Sequence, residues 1–224
     1  MNFPSIAASR PPARGILSLR QAKQAMRSEE GFSLLEMVIV AALILIATAI
    51  ALLLAQNVIR NVHLHQAAAN YANLLQQARV RAVQDDTYYA VFMDTSTSPA
   101  RAFIDIQQSG AYAAGDPELQ FTSDVKPMST SSAPNVSNLE SKFLPSISTY
   151  GTINTTAEGP TFGPRGLPCS PTSVKGGTCP YMTPTSYMTF MKNIRSQNWV
   201  AVTVTPAGRI RLWSYGNSTW SPLN

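Results

Sequence analysis

Two short runs in this chain place residue types at spacings that could do chemistry. In Glu30-Gly31-Phe32-Ser33-Leu34-Leu35-Glu36, a glycine stands directly before an unbroken apolar stretch that ends at Ala55, and a lone acid lies inside it. This junction reads as a processing site joined to a membrane anchor. A carboxylate such as Glu36 at hydrocarbon depth is a functional-site hypothesis by default, because an unpaired charge there is costly. The second run is Gly208-Arg209-Ile210-Arg211. On a strand, Arg209 and Arg211 fall on one face about 6.6 Å apart, while Ile210 and Leu212 point the other way, toward a core. Two guanidiniums on an exposed face make a fork for phosphate oxygens.

Other reactive side chains are placed less suggestively. Cys169 and Cys179 enclose nine residues in a loop dense in proline and glycine. In an exported domain a disulfide is expected between them, pinning a loop that lacks a core of its own; a redox or metal role is the other reading. His63 and His65 stand two apart, so on a helix their rings point about 200° apart and cannot chelate jointly as i, i+4 ligands do. A zinc site would require those histidines to meet the Cys loop, and no metal site is expected. Asp85-Asp86 reads as a helix end, since carboxylates adjacent in sequence define no opposed acid/base geometry. The chain has no phosphate-cradling glycine loop and no Gly-x-Ser-x-Gly elbow. Neither a cofactor nor an enzymatic activity is expected.

The elements that must position these residues follow from pattern and composition. Phe32 to Ala55 is 24 residues with Glu36 as the only charge, long enough for a hydrocarbon core that needs about 20 helical residues. The 31 residues before it carry Arg10, Arg14, Arg20, Lys23 and Arg27 against Glu29 and Glu30. Positive charge on that side predicts a cytoplasmic N-terminus and an exported remainder. A secretory signal peptide shares the basic-then-apolar order, but its apolar core is usually about 7 to 15 residues with a small-residue cleavage site behind it. Here the glycine and the acid come first.

No proline or glycine occurs from Phe32 until Pro99, and Ile59, Val62, Tyr71, Leu74, Leu75, Ala78 and Ala82 recur at helix-like spacing. The expectation is one helix from Phe32 to about Gln84, roughly 80 Å long at 1.5 Å per residue. Residues 32–55 would be transmembrane, and 56–86 amphipathic and docked on a domain. From residue 87 to 224 the pattern changes to short β-branched and aromatic segments: Tyr88 to Met93, Arg101 to Ile106, Ser141 to Leu144, Tyr187 to Met191, Trp199 to Thr205 and Arg209 to Trp213. Ser123 to Asn138 reads as a long surface loop. Pro206-Ala207-Gly208 supplies turn chemistry between the last two strands, predicting a C-terminal hairpin. The expected fold is α+β, a long N-terminal helix packed on an antiparallel, β-rich domain.

Only 13% of the residues are charged, which suits an extracytoplasmic β-rich domain better than a cytosolic helical enzyme. The formal charge of +5 conceals an asymmetry. From Asp85 to Glu158 nine acids face Arg101, Lys126 and Lys142, whereas Gly159 to Asn224 holds Arg165, Lys175, Lys192, Arg195, Arg209 and Arg211 with no acid. The two segments could form merely two solvated faces, or the basic one could be an anion-binding surface.

The pattern Gly31-Phe32-x-x-x-Glu36 ahead of the apolar stretch resembles the cleavage and methylation site of type IV prepilins and type II secretion pseudopilins. The resemblance implies cleavage between Gly31 and Phe32 by a membrane prepilin peptidase, N-methylation of Phe32, and loss of residues 1–31 as a cytoplasmic leader. Glu36 becomes the fifth residue of the mature chain, and the amino terminus of a neighbouring subunit is the natural cation for its carboxylate. Phe162-Gly163-Pro164-Arg165-Gly166, the strand Val200 to Thr205 and Gly208-Arg209-Ile210-Arg211 are similar to the C-terminal portion of GspH/FimT-type minor pilins and pseudopilins. The GspH branch implies a low-abundance subunit of the type II secretion pseudopilus. The FimT branch implies a type IV pilus component whose Gly-Arg-x-Arg element binds DNA for uptake. On that branch Arg195 and Lys192 are auxiliary contacts, and Trp213 or Trp220 either stacks on single-stranded bases or packs the hairpin. Phosphate contacts without base reading imply weak sequence preference and strong salt dependence. The expected protein is a single-pass subunit of a bacterial inner membrane with a pilin-like periplasmic domain. Its partners are prepilin peptidase, other pilins or pseudopilins, and secreted cargo or DNA.

Overall fold

With no helix breaker between them, Leu34 to Gln84 form one uninterrupted helix, α1 (Leu34–Gln84), in the computed structural model, which describes residues 32–143, 151–152, 158–169 and 185–223. Ser33 flanks its start, its carbonyl accepting the Met37 N–H at 3.1 Å. Glu36 lies in the first turn, where the unpaired amides favour an acid. At the other end Asp86 takes a left-handed conformation (φ 51°), and the Thr87 N–H reaches back five residues to the Ala82 carbonyl at 3.1 Å. That is the Schellman arrangement, so Asp85 and Asp86 do end the helix.

The chain divides into two compact units, Met1–Ile50 and Ala51–Asn224. In the first, the apolar side chains of α1 from Leu34 to Ile50 are exposed on every side. In the second, Leu64, Ala67, Ala68, Tyr71, Leu74, Leu75, Ala78 and Ala82 are buried, a stripe at three- and four-residue intervals. Ile59 and Val62, expected in that stripe, are instead 52% and 44% exposed. At 3.6 residues per turn they lie more than about 130° round the helix from Leu64, so they cannot share its face.

The remaining elements are β1 (Tyr89–Asp94), β2 (Arg101–Asp105), β3 (Glu118–Gln120), β4 (Val125–Met128), a 3-10 turn (Thr130–Ser132), α2 (Val136–Phe143), β5 (Gly151–Thr152), β6 (Glu158–Phe162), β7 (Pro168–Cys169), β8 (Tyr187–Asn193), β9 (Trp199–Val204), β10 (Ile210–Gly216) and β11 (Thr219–Pro222). They build two sheets, one ordered β3-β2-β1-β6-β7 and the other β11-β10-β9-β8-β4, with β5 alongside β8. Every pairing is antiparallel except β5 with β8. The helix stripe, Val91 and Ile104 of the first sheet, and Met191, Val200, Val202 and Val204 of the second share one core. Alternation sends Met188, Phe190, Ala201 and Trp213 to the opposite face of the second sheet, where Leu139 and Phe143 of α2 cover them together with Trp220. This is the α+β layout that the sequence implies.

Two segments differ from expectation. Ser123 to Asn138 is not a single loop, for it contains β4, the 3-10 turn and the start of α2. Ser141 to Phe143, expected as strand, ends α2; Leu144 lies outside the described residues. The helix wins because Val136, Leu139 and Phe143, spaced by three and four, present one apolar face to the Phe190, Trp213 and Trp220 cluster. The β9–β10 hairpin forms as expected, with Val204 opposite Ile210. It is followed by an unanticipated strand, β11, after a two-residue turn in which Asn217 and Ser218 both have positive φ (50° and 61°).

The linear charge asymmetry maps onto the sheets. The strands of the second sheet contain Lys126, Lys192 and Arg211 and no acid. Those of the first contain Asp94, Asp105, Glu118 and Glu158 against Arg101.

Candidate functional site

At the N-terminal end, Gly31 lies outside the described residues. Phe32 is 71% exposed and lies two residues before the start of α1, and Glu36 is exposed among Leu34, Leu35, Met37 and Val38. A helical segment that is apolar all round, as from Leu34 to Ile50, with none of that surface buried among the described residues, needs lipid or other helices as its solvent. It is long and apolar enough to cross a membrane. An unpaired charge at such depth is costly, so Glu36 calls for a cationic partner there.

The Gly208–Arg211 run sits where three segments meet. Gly208 (φ +76°) closes the β9–β10 turn by donating its N–H to the Thr205 carbonyl at 2.8 Å, and the Arg209 N–H donates to Thr205 Oγ1 at 3.1 Å. Between β6 and β7 the Gly166 N–H (φ +68°) donates to the Gly163 carbonyl at 2.8 Å, making a second tight turn. Arg79 of α1 donates through Nη1 to the Gly208 carbonyl at 3.0 Å. A Cβ on Gly208 would fall 2.8 Å from the Gly166 carbonyl oxygen, and one on Gly166 would fall 3.2 Å from Arg79 Nε. Both glycines are therefore required by backbone conformation and by close approach together. Two motif fragments far apart in sequence are locked against each other over Arg79. The clasp leaves Arg209 exposed, its guanidinium in no ion pair among the described residues, while Arg211 is half-buried. Ile210 and Leu212 pack on the main core, as strand alternation requires.

Lys192 and Arg195 are not beside this fork. Arg211 is paired with Thr203 and Lys192 with Trp199, four residues apart on β9 and so separated by about 13 Å along the strand. Arg195 belongs to the turn after β8 and lines a shallow hollow with Arg60, His63 and Asp124. There Asp124 Oδ2 accepts from Asn193 Nδ2 at 2.8 Å and lies 3.3 Å from His63 Nδ1, while Asn193 Nδ2 also reaches the Arg60 carbonyl at 3.1 Å. Burial works against the Asp124 charge, yet hydrogen bonds from Thr122, Asn193 and His63 hold its carboxyl below the usual range. His63 thus contributes to docking α1 on β4 and β8, a role that needs a partner 61 residues away and leaves no local sequence signal.

Trp213 and Trp220 are 3% and 0% exposed. Their indoles donate to Thr203 Oγ1 at 2.9 Å and to the Pro134 carbonyl at 3.0 Å. They pack the hairpin and α2, so of the two readings for these rings the packing one holds. Trp199, which the sequence did not single out, is half-buried with Lys192 Nζ 5.2 Å from its ring centroid. Cys169 is disulfide-bonded; Cys179, its expected partner, lies outside the described residues. Among the described residues no group of three or more His, Cys, Asp or Glu is placed to hold a metal.

The family model for the prokaryotic N-terminal methylation motif matches residues 26–52. No curated protein and no solved structure matches the chain. The matched span takes in Gly31, Phe32, Glu36 and the first turns of α1. It supports a prepilin-type, pilin- or pseudopilin-like protein, and with the apolar helix it supports membrane anchoring. Such a motif implies processing by prepilin peptidase and assembly with other pilins.

Proposed function

We propose that this chain is a minor pilin or pseudopilin of the GspH/FimT type, which works by assembly rather than catalysis. The observation that supports the prepilin-type part of this reading is the methylation motif at 26–52 heading a helix whose apolar residues from Leu34 to Ile50 are exposed on every side. The basic residues before Phe32 hold the N-terminus in the cytoplasm and the β-rich domain is exported. Prepilin peptidase cuts between Gly31 and Phe32, and Phe32 is methylated. In the membrane, Glu36 is neutralised by the amino terminus of a neighbouring subunit, which sets register as the subunit leaves the lipid. As a minor subunit it initiates or caps the filament, and its domain contacts other subunits or secreted cargo. Glu36→Val is expected to remain membrane-inserted but to be lost from sheared filaments. Incorporation equal to wild type would overturn the role of Glu36.

A second reading, DNA capture by the Gly208–Arg211 element, is favoured by one observation. Arg209 is exposed and outside any ion pair among the described residues, on a turn held by Arg79, beside a sheet without acids. The full chain in detergent micelles, titrated with random duplex DNA at several salt concentrations, should bind more weakly as salt rises and lose affinity in Arg209→Ala/Arg211→Ala. No binding at low salt would leave the secretion-type subunit as the working answer.

A further inference from the structure

The face of the second sheet that α2 partly covers carries, at the rim of that cover, a row of four side chains that the fork does not use. Lys126 of β4 is directly opposite Lys192 of β8, and Lys192 is directly opposite Trp199 of β9. The β9–β10 register, with Val200 opposite Ser214, brings Tyr215 to the same level and face. The row crosses four strands, about 14 Å at the usual interstrand spacing. Trp199 and Tyr215 are half-buried at the rim of the cluster beneath α2, and Tyr215 lies against Trp220 with centroids 5.2 Å apart. Each ring therefore has a packed body and an accessible part.

The two ammoniums are the unusual feature. Like charges directly opposite across a strand pair repel, and neither lysine forms an ion pair among the described residues. Lys192 instead lies over the Trp199 ring at 5.2 Å, which orients it without cancelling its charge. A polyanion with flat, stackable groups would relieve the repulsion and cover the rings at once. An acidic peptide would satisfy the lysines only, and a neutral glycan the rings only.

We propose that Lys126, Lys192, Trp199 and Tyr215 form a platform for single-stranded nucleic acid, with phosphates on the lysines and a base on Trp199. Its level on β9 is four residues, about 13 Å, from that of Arg211, so it is a separate site. The inference rests on this row of side chains and not on the arginine fork, so the two can fail independently.

The test is titration of the full chain in micelles with an oligothymidylate, followed by its fluorescence anisotropy and by quenching of tryptophan emission, since Trp213 and Trp220 are buried and Trp199 is the accessible indole. Trp199→Ala should weaken binding by about 5- to 100-fold and abolish the quenching without altering the salt slope. Trp199→Tyr, which keeps a ring, should retain most of the affinity. Lys126→Ala/Lys192→Ala should reduce the slope of log K against log salt by about 1.4, two single-strand phosphate contacts. Arg209→Ala/Arg211→Ala should leave the quenching intact. Wild-type affinity in both platform variants, quenching abolished by loss of the fork, or displacement of the oligonucleotide by polyglutamate with Trp199→Ala unchanged would each overturn the proposal.

Discussion

Replacing Gly208 by alanine should destabilise the β-rich domain far more than its place in a surface turn suggests. At φ +76° an L-residue is disfavoured by about 1 kcal/mol or more. The new Cβ would also lie 2.8 Å from the Gly166 carbonyl oxygen. That atom is backbone, so relief requires one of the two turns to move. Moving the Gly208 turn stretches the 3.0 Å bond from Arg79, and hydrogen bonds to charged groups contribute about 1.5–3 kcal/mol. The sum is roughly 2–4 kcal/mol, or a fall of roughly 5–15 °C in thermal midpoint for a domain of this size. Gly216 is the matched control, for it has no positive φ and a Cβ there meets nothing within 4 Å, so Gly216→Ala should lie within about 0.5 kcal/mol of wild type. Tryptophan emission during thermal or urea unfolding reports the transition, because Trp213 and Trp220 are buried in the same domain. Arg79→Met removes the shared bond alone, so the Gly208→Ala/Arg79→Met pair should be less damaging than the sum of the singles. A Gly208→Ala midpoint matching Gly216→Ala, or strict additivity with Arg79→Met, would refute the clasp.

Two further perturbations probe the rest of the domain. Trp220→Ala empties the centre of the cluster under α2, where its indole contacts Phe190 and Tyr215, and should cost about 3–5 kcal/mol in urea unfolding; a cost below that of an exposed substitution would deny α2 its packing role. Asp124 has a folded-state pKa lowered from 3.8, so its contribution is present above that value and is lost as pH falls through the lower folded one. Asp124→Asn should therefore flatten the acid limb of thermal midpoints measured between about pH 2 and 6, and an unchanged limb would show that the His63–Asp124–Asn193 contact carries no such linkage.

What could be read in advance depended on how local the cause was. The absence of proline and glycine made α1 legible to within two residues at its start, and alternation in Val200 to Val204 with the turn chemistry after it made the hairpin legible. The eight-residue α2 was missed because Val136, Leu139 and Phe143 are too few to establish a period, and its helicity depends on the aromatic cluster it covers. The same cover separates tryptophans that look alike in sequence: Trp199 and Trp213 share a sheet face, but only Trp213 is buried, beside α2. Arg79 reads as an ordinary solvated helix residue, since its acceptor lies 129 residues further on. Gly163, Gly166 and Gly208 stood out as a motif, and the structure supplies their reason as close approach between turns and to Tyr88.

The central claim is tested most directly at the new amino terminus. The full chain, expressed with and without a prepilin peptidase, is isolated from membranes and its intact mass and terminal sequence are determined. The account predicts that the peptidase removes residues 1–31 and that the product begins at Phe32 with one added methyl group, whereas Gly31→Val remains full length. A chain left uncut by the peptidase, or cut at a site other than Gly31-Phe32, would contradict it.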